Sequence, residues 1–358
     1  MNIDNQKPQR DVSLDALKGY LIILVVLGHL SLANFFGSYP DSKHYLTIRS
    51  VLDTEKIYYY HMPLFLAIGG LFVRPFSLDV LRSTAIAVLV PYFAFAFAVA
   101  LVFDPVGDLT KIAERAGPVL MGNNFYLKSI LWFLPALFCC RILVSLWLLI
   151  PKGKVHRRAL VLLAVVWALY FWQTAQIHQI HIAGRIPFGI DIALYLMPLL
   201  LLLRFGYAGG WIARVPWYAW ALGAVAGYIA ITVFEPVKMY NYRVDLSNYN
   251  MPVTIAGVAG FFLLSVSVFG LFQKFGSMPP VRFLAFFGTF SFPIYLLHDQ
   301  FMYGALVQMI QSGGGSISAW HATGWALGAC VAGVILPIVL SKIVMRMSND
   351  FRLIGFVR

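Results

Sequence analysis

The first apolar segment of the chain contains two ionisable side chains, Lys18 and His29, eleven residues apart. In an α-helix this spacing is about three turns, so both side chains lie on one face, about 16 Å apart along the axis. A lysine attracts a phosphate-bearing ligand, and a neutral imidazole takes a proton from a hydroxyl near neutral pH. Asp15 lies one turn before Lys18 and is placed to pair with it. On spacing alone, an alternative stays open in which Lys18 snorkels to the membrane surface and His29 hydrogen-bonds a neighbouring helix.

Other ionisable residues also fall inside apolar segments, where charge is costly and marks candidate functional positions. They are His61, Arg141, Asp191, His298 and Asp299. His61 opens the second apolar segment and is equally well explained as a residue of an interfacial aromatic belt. His298 and Asp299 are adjacent, so their side chains point about 100° apart on a helix. Asp299 is as readily explained by a structural ion pair with Arg141 as by catalysis.

The composition predicts an integral membrane protein. Of the 358 residues, 60% are hydrophobic and 12% are charged, and the mean hydropathy is +0.77. A soluble domain has roughly 25% charged residues. The net charge of +12 lies between apolar segments, so it predicts orientation in a bilayer rather than binding of nucleic acid. Cys139, Cys140 and Cys330 lack metal-ligand spacing, so we expect no metal site.

The elements that position these side chains are predicted to be transmembrane helices, because a span needs about 20 apolar residues. We expect an all-α polytopic protein of about ten spans. They are Ala16–Phe36, Ile57–Val73, Ser83–Phe103, Ser129–Ile150, Ala159–Ile177, Pro187–Leu203, Val215–Phe234, Met251–Phe272, Phe283–Ile310 and Trp320–Met345.

Charge predicts the orientation of these spans. With the N-terminus in the cytoplasm, the inner segments hold 17 of the 27 lysines and arginines and the outer segments hold nine. This distribution follows the positive-inside rule, so both termini are predicted to be cytoplasmic. The predicted organisation is a cytoplasmic segment 1–15, a ten-helix domain 16–345 and a cytoplasmic tail 346–358. The first apolar segment lacks a small-residue cleavage site and is expected to remain as an anchor.

Four pieces of the sequence, in this order, resemble the acyltransferase family 3 membrane proteins. They are residues 10–19 (RDVSLDALKG) running on to His29, residues 60–65 (YHMPLF) with Gly69-Gly70, residues 132–138 (WFLPALF) and residues 291–298 (SFPIYLLH). The family signature is a basic residue, ten residues and a histidine, which Lys18 and His29 match. The chain is similar to its sugar O-acetyltransferases, which are related to fucose acetylases and exopolysaccharide acetylases.

The resemblance implies an acyltransferase in the bacterial inner membrane. Acyl-CoA, usually acetyl-CoA, would be a co-substrate from the cytoplasm, with no permanently bound cofactor, and a carbohydrate would accept the acyl group on the outer side. The candidate catalytic residues are His29, Lys18, His61 and His298; the candidate donor-binding residues are Lys18, Arg74 and Arg82; and the candidate substrate-binding residues are Asp15, Trp132 and Asp299. The expected partners are the bilayer, the acceptor and polysaccharide-assembly proteins, and not nucleic acid.

The chain departs from the family pattern at two places. The usual basic residue is arginine, and here it is Lys18, which binds phosphate as a point charge without a bidentate fork. The second helix of the family often reads FFxxSG, and here residues 65–70 read FLAIGG, which lacks the hydroxyl.

Two other functions remain alternatives. The first is a transporter or flippase for a polysaccharide or lipid-linked sugar, which predicts inverted repeats and paired broken helices. The second is a non-enzymatic component of the cell envelope, which predicts tolerance of changes at Lys18 and His29.

Overall fold

The computed structural model describes residues 11–29, 60–102, 130–151, 153–155, 157–165, 187–234, 239–240, 243–244, 251–312 and 319–347. Its helices are α1 (Val12–His29), α2 (His61–Gly70), α3 (Leu78–Val102), α4 (Phe133–Trp147), α5 (Ile190–Ala208), α6 (Trp211–Arg214), α7 (Trp217–Phe234), α8 (Met251–Phe275), α9 (Pro279–Thr289), α10 (Ser291–Ser312) and α11 (Ala319–Met347). Residues 157–165 are also helical. Short 3₁₀ turns, Ile130–Trp132 and Pro187–Gly189, precede α4 and α5.

The described residues confirm the all-α class. Their only strands form one small antiparallel ladder, in which β1 (Met239–Tyr240) pairs with β2 (Arg243–Val244). Five helical segments are long and apolar enough to cross a membrane: Val12–His29, Leu78–Phe97, Trp217–Phe234, Ala256–Phe275 and Leu327–Val344. They correspond to the first, third, seventh, eighth and tenth predicted spans, so the chain is a multi-pass membrane protein.

Three further predicted spans correspond to shorter apolar helices, His61–Gly70, Phe133–Trp147 and Ile192–Ala208. The ninth predicted span is divided in two. Pro279–Thr289 and Ser291–Met302 meet at an angle of 73°, and together they pass as one broken span. The fifth predicted span, 159–177, lies mostly outside the described residues, as do residues 1–10 and 348–358.

Helix α1 begins at Val12, four residues before the predicted start, because Asp11 caps it. The Asp11 Oδ1 accepts hydrogen bonds from the backbone N–H of Ser13 at 2.9 Å and of Leu14 at 3.3 Å. These are N–H groups of the first helical turn, which otherwise have no partner within the helix. Capping therefore places Asp15 in the first turn and Lys18 about 9 Å along the helix from Val12.

Helix α1 is the central helix of the described fold. It contacts α2, α8, α9, α10 and α11, and twelve of its eighteen residues are buried. Its closest neighbour is α9, which it meets through Gly19 and Gly288. A Cβ added to either glycine would clash with a backbone carbonyl of the other helix. Such close contact between helices is typical of small residues in membranes, and it fixes the position of Lys18 and His29 relative to α10.

Candidate active site

The structure brings His29 and His298 together, although they are 269 residues apart in the chain. The Nδ1 atom of His29 lies 3.3 Å from the Nε2 atom of His298, and the ring centroids are 4.8 Å apart in an edge-to-face arrangement. His29 is the last residue of α1 and is half-buried, whereas His298 lies in α10 and is 0% exposed. The contact between α1 and α10 therefore produces an imidazole pair that spacing alone did not predict.

Backbone carbonyls hold both rings. The Nδ1 atom of His29 lies 2.8 Å from the carbonyl oxygen of Val25. The Nδ1 atom of His298 lies 2.9 Å from the carbonyl oxygens of both Ile294 and Tyr295. In each case the carbonyl belongs to the preceding turn of the same helix, so each helix restricts the orientation of its own imidazole.

An aromatic cluster packs beside His298. Tyr295 lies one turn earlier on α10, is buried, and hydrogen-bonds the backbone of Phe133. The ring of Phe133 lies 5.0 Å from the ring of Tyr295 and 5.5 Å from that of Phe65 on α2. Trp132, a predicted substrate-binding residue, is half-buried in the 3₁₀ turn before α4 and packs edge-on against Phe133 at 6.2 Å. The cluster therefore connects Trp132 to the imidazole pair through two aromatic rings.

Lys18 and Asp15 form the predicted ion pair at the other end of this face. The Lys18 Nζ atom lies 3.4 Å from the Asp15 Oδ1 atom, and the two side chains are 33% and 11% exposed. Asp15 lies at the contact with α9, where its carbonyl faces Gly288. The Asp15 carboxylate contacts the Lys18 ammonium on one side only, and a third of the lysine side chain remains accessible.

Two residues of α1 lie on the face between Lys18 and His29. Ile22 and Val25 are both 0% exposed, because neighbouring helices cover this part of α1. A ligand that extended along this face from Lys18 to His29 would therefore displace packed side chains at these two positions.

The segment between α2 and α3 contains Arg74, a predicted donor-binding residue, and other helices hold its backbone. The Arg204 guanidinium of α5 donates to the carbonyls of Gly70 at 3.1 Å, of Val73 at 2.8 Å, and of Leu71. The Ser145 hydroxyl of α4 donates to the Arg74 carbonyl at 2.9 Å. The side chain of Arg74 is exposed, so the backbone is fixed while the cation is accessible.

This segment lies at the same end of the fold as the start of α1. Phe72 packs against Tyr207 of α5 with ring centroids 5.7 Å apart, and the Tyr207 hydroxyl donates to the Asp11 Oδ2 atom at 2.8 Å. Burial alone would raise the pKa of Asp11, but hydrogen bonds from Ser13, Tyr207 and the backbone of Leu14 outweigh it and lower the pKa below its usual value.

The remaining predicted residues have the following places. Arg82 is exposed on the second turn of α3, and His61 is fully buried as the first residue of α2. Asp299 follows His298 on α10 and is half-buried, and Arg141 is half-buried on α4. Asp191 lies in the first turn of α5. Their predicted roles stay predictions.

A model of one protein family, described as an acyltransferase domain, matches residues 11–342 and therefore nearly the whole chain. The chain belongs to acyltransferase family 3. No curated protein and no solved structure matches it. The chain is accordingly a membrane acyltransferase, and the matched stretch begins at Asp11, the residue that caps α1.

Sequence reasoning missed three residues that support the site of this acyltransferase. In the sequence Arg204 is one of the 17 lysines and arginines of the predicted inner segments, although a single cation at the end of an apolar segment is suited to binding helix C-terminal carbonyls. Ser145 gave no signal within its apolar segment. Tyr295 lay inside the matched piece SFPIYLLH, but only the structure indicates that it connects α10 to Phe133.

Proposed function

We propose that this acyltransferase moves an acyl group, most simply acetyl, from cytoplasmic acyl-CoA to a hydroxyl of a carbohydrate outside the cytoplasm or linked to lipid. Lys18, Arg74 and Arg82 bind the phosphates of CoA, since cations and phosphate oxygens form charge-assisted hydrogen bonds. The pantetheine arm follows α1 past Ile22 and Val25, whose contacts open to admit it. The thioester then lies beside His29.

The reaction is a direct acyl transfer. His29 takes the proton of the acceptor hydroxyl, and the oxygen attacks the carbonyl carbon of the thioester. The C–S bond breaks, and the CoA thiolate leaves with the proton that His29 carried. The products are an ester and free CoA, and His29 returns to its neutral form. An acyl-histidine intermediate is the alternative route to the same products.

The observation that carries this proposal is the contact between His29 and His298 at 3.3 Å. A general base is effective when a further group orients it, and here the second imidazole and the Val25 carbonyl both contact the His29 ring. The two histidines come from two of the four sequence pieces that resemble the family. One contact therefore joins two pieces that are far apart in the chain. Trp132 and Asp299 are proposed to bind the carbohydrate and His61 to assist His29, whereas Asp15, paired with Lys18, is proposed to act in binding of the donor substrate.

The contacts at the helix ends support ten crossings. The ends of α2, α4 and α5 all lie beside the start of α1, as the bonds of Arg204 and Ser145 and the Tyr207–Asp11 hydrogen bond indicate. Since α4 and α5 end on the same side, we propose that one further span lies between them. The predicted fifth span, 159–177, lies in that interval.

The helices in the second half of the chain also alternate in direction. Trp217 at the start of α7 packs against Phe275 at the end of α8 with centroids 6.0 Å apart. Lys342 near the end of α11 lies 5.7 Å from the ring of Phe290, just before α10. These antiparallel pairs support an even number of spans with both termini on one side. The excess of lysine and arginine on that side favours the cytoplasm, and we propose the bacterial inner membrane as the location.

The test is O-acetylation of surface polysaccharide in bacteria that carry either the wild-type protein or His29→Ala. We expect the variant to insert at a normal level and to lose transfer by about 10²–10⁴-fold, the contribution of a positioned general base. His321→Ala, which changes a histidine of α11 outside the matched motifs, is the control and should retain transfer. Normal acetylation of the polysaccharide by His29→Ala would refute the mechanism.

Purified protein separates this function from transport of a polysaccharide. With [¹⁴C]acetyl-CoA and polysaccharide from a strain that lacks the protein, the acyltransferase should release thiol and label the glycan in equal amounts. A transporter would do neither. Transporters with inverted repeats have paired broken helices, whereas the described residues contain one such break, between α9 and α10.

A further inference from the structure

The contacts of the imidazole pair indicate where its protons lie, because three of its four ring nitrogens face identified groups. Three backbone carbonyls surround the two Nδ1 atoms: those of Val25, Ile294 and Tyr295, at 2.8 to 2.9 Å. A carbonyl oxygen only accepts hydrogen bonds. An unprotonated nitrogen at these distances would place its lone pair against a lone pair of the oxygen, and the two would repel. Each Nδ1 atom therefore carries hydrogen.

For His298 this argument fixes the tautomer. Its Nδ1–H is shared between the carbonyls of Ile294 and Tyr295, so in the neutral ring the Nε2 atom has a lone pair and no hydrogen. That atom lies 3.3 Å from the Nδ1 atom of His29. His298 is fully buried, and a buried imidazole is favoured in its neutral form.

For His29 the same argument gives the same tautomer. Its Nδ1–H faces two acceptors, the Val25 carbonyl and the Nε2 atom of His298. In the opposite assignment the Nε2 atom of His298 carries the hydrogen. Both Nδ1 atoms would then be unprotonated and would face carbonyl oxygens, which cannot donate. The proton of neutral His29 therefore lies on Nδ1, and Nε2 is its basic nitrogen.

We propose that His298 is a positioning residue that, with the Val25 carbonyl, holds the His29 proton on Nδ1, so that Nε2 of His29 accepts the proton of the acceptor hydroxyl. This inference rests on the proposed function. When His29 becomes an imidazolium, its Nδ1–H is already directed at the lone pair of His298, which stabilises the new charge without taking the proton. A neutral imidazole therefore takes the place that a carboxylate occupies in many base-orienting arrangements.

The first test does not depend on catalysis. The full-length protein, labelled with ¹⁵N-histidine and reconstituted in nanodiscs, is examined by long-range ¹H–¹⁵N correlation, which distinguishes protonated from unprotonated ring nitrogens. His29→Gln and His298→Gln assign the signals. We expect both residues in the Nδ1–H form at neutral pH. Hydrogen on the Nε2 atom of either ring would overturn the proposal.

The second test compares two variants of His298 with [¹⁴C]acetyl-CoA as donor and purified polysaccharide as acceptor. His298→Phe keeps a ring but has no lone pair, and we expect kcat to fall by about 100-fold, with KM for acetyl-CoA within threefold of wild type. His298→Gln provides an oxygen near the position of Nε2, and we expect its kcat to be at least tenfold higher than that of His298→Phe. A purely structural role predicts that glutamine is no better than phenylalanine, and that result would overturn the inference.

The two tests separate failure of this inference from failure of the proposed function. If the wild-type protein transfers no acetyl group, the proposed function fails, and the nitrogen signals still report the tautomers. If the wild-type protein transfers acetyl and His298→Phe retains full kcat, only the role of His298 fails. Should His298→Phe fold poorly, His298→Gln and the wild-type spectrum still decide the question.

Discussion

Gly19 of α1 and Gly288 of α9 lie where the backbones of the two helices touch. A Cβ on Gly19 would overlap the carbonyl oxygen of Leu284, and a Cβ on Gly288 would overlap that of Asp15. This contact lies next to Lys18 and just before the bend that leads into α10. It therefore sets the distance between α1 and α10, and with it the distance between His29 and His298.

Gly19→Val is accordingly expected to destabilise the protein and reduce transfer. Overpacking in a well-packed interior costs about 1–3 kcal/mol, and here the clashing atom is backbone, so we expect at least about 2 kcal/mol. Thermal unfolding of the detergent-solubilised protein measures the effect. Gly328→Val is the matched control, since nothing lies within 4 Å of a Cβ at this position. Equal melting temperatures for the two variants would contradict the assigned contact.

Arg204→Leu tests whether the segment that holds Arg74 is fixed by its carbonyl contacts. Removing the guanidinium leaves the carbonyls of Gly70, Leu71 and Val73 without this donor, and loss of a partner for a buried group costs about 1–3 kcal/mol. We expect a lower melting temperature and a raised KM for acetyl-CoA. Arg214→Leu, which removes an exposed arginine, should leave both near wild type. An unchanged melting temperature for Arg204→Leu would count against the role of these contacts.

Asp11→Asn tests the charged cap of α1 through its pH dependence. The pKa of Asp11 lies below its usual value of 3.8 in the folded protein. Its carboxylate therefore adds stability above pH 3.8, and that stability is lost as the pH falls through the lower folded value. We expect Asp11→Asn to cost about 1 kcal/mol at neutral pH and the difference from wild type to disappear in acid. Asp79→Asn, on the exposed first turn of α3, should show no such convergence.

Lys18→Met tests the donor-binding role of the lysine. If Lys18 binds a phosphate of CoA, loss of a charge-assisted hydrogen bond worth about 1.5–3 kcal/mol raises KM for acetyl-CoA by about 10–100-fold. Lys18→Arg keeps the charge and should remain within a few fold of wild type. Lys342→Met removes an exposed lysine of α11 and serves as the control. The donor role is excluded if Lys18→Met binds acetyl-CoA as well as the control does.

Much of the fold followed from the sequence because apolar length is a strong signal. The five long spans came from continuous apolar segments, and the family came from four short motifs. The imidazole pair could not be derived in this way. His29 and His298 were each singled out as ionisable groups in apolar segments, but their contact depends on how α1 packs against α9 and α10, and no local pattern specifies that packing.

Pro293 indicates the bend before α10, although the apolar pattern around it predicts a continuous helix. Residues 283–310 form one apolar stretch, which predicts one continuous helix. Pro293 lacks a backbone N–H, so it cannot donate to the carbonyl of Thr289 four residues earlier, and the helix breaks at Phe290. A proline is also favoured in the first turn of a helix, which is where Pro293 lies in α10. The early start of α1 had a similar signal in Asp11, a preferred N-cap residue.

The buried pair Ile22 and Val25 bears on how such an enzyme coexists with an energised membrane. A protein that draws one substrate from the cytoplasm and delivers the product outside would leak protons and ions if water filled the whole path. Two aliphatic side chains without accessible surface separate the lysine from the imidazole on this face of α1. Under the proposed function, these two side chains would keep water out of the donor path until the acyl chain, itself apolar, parts them.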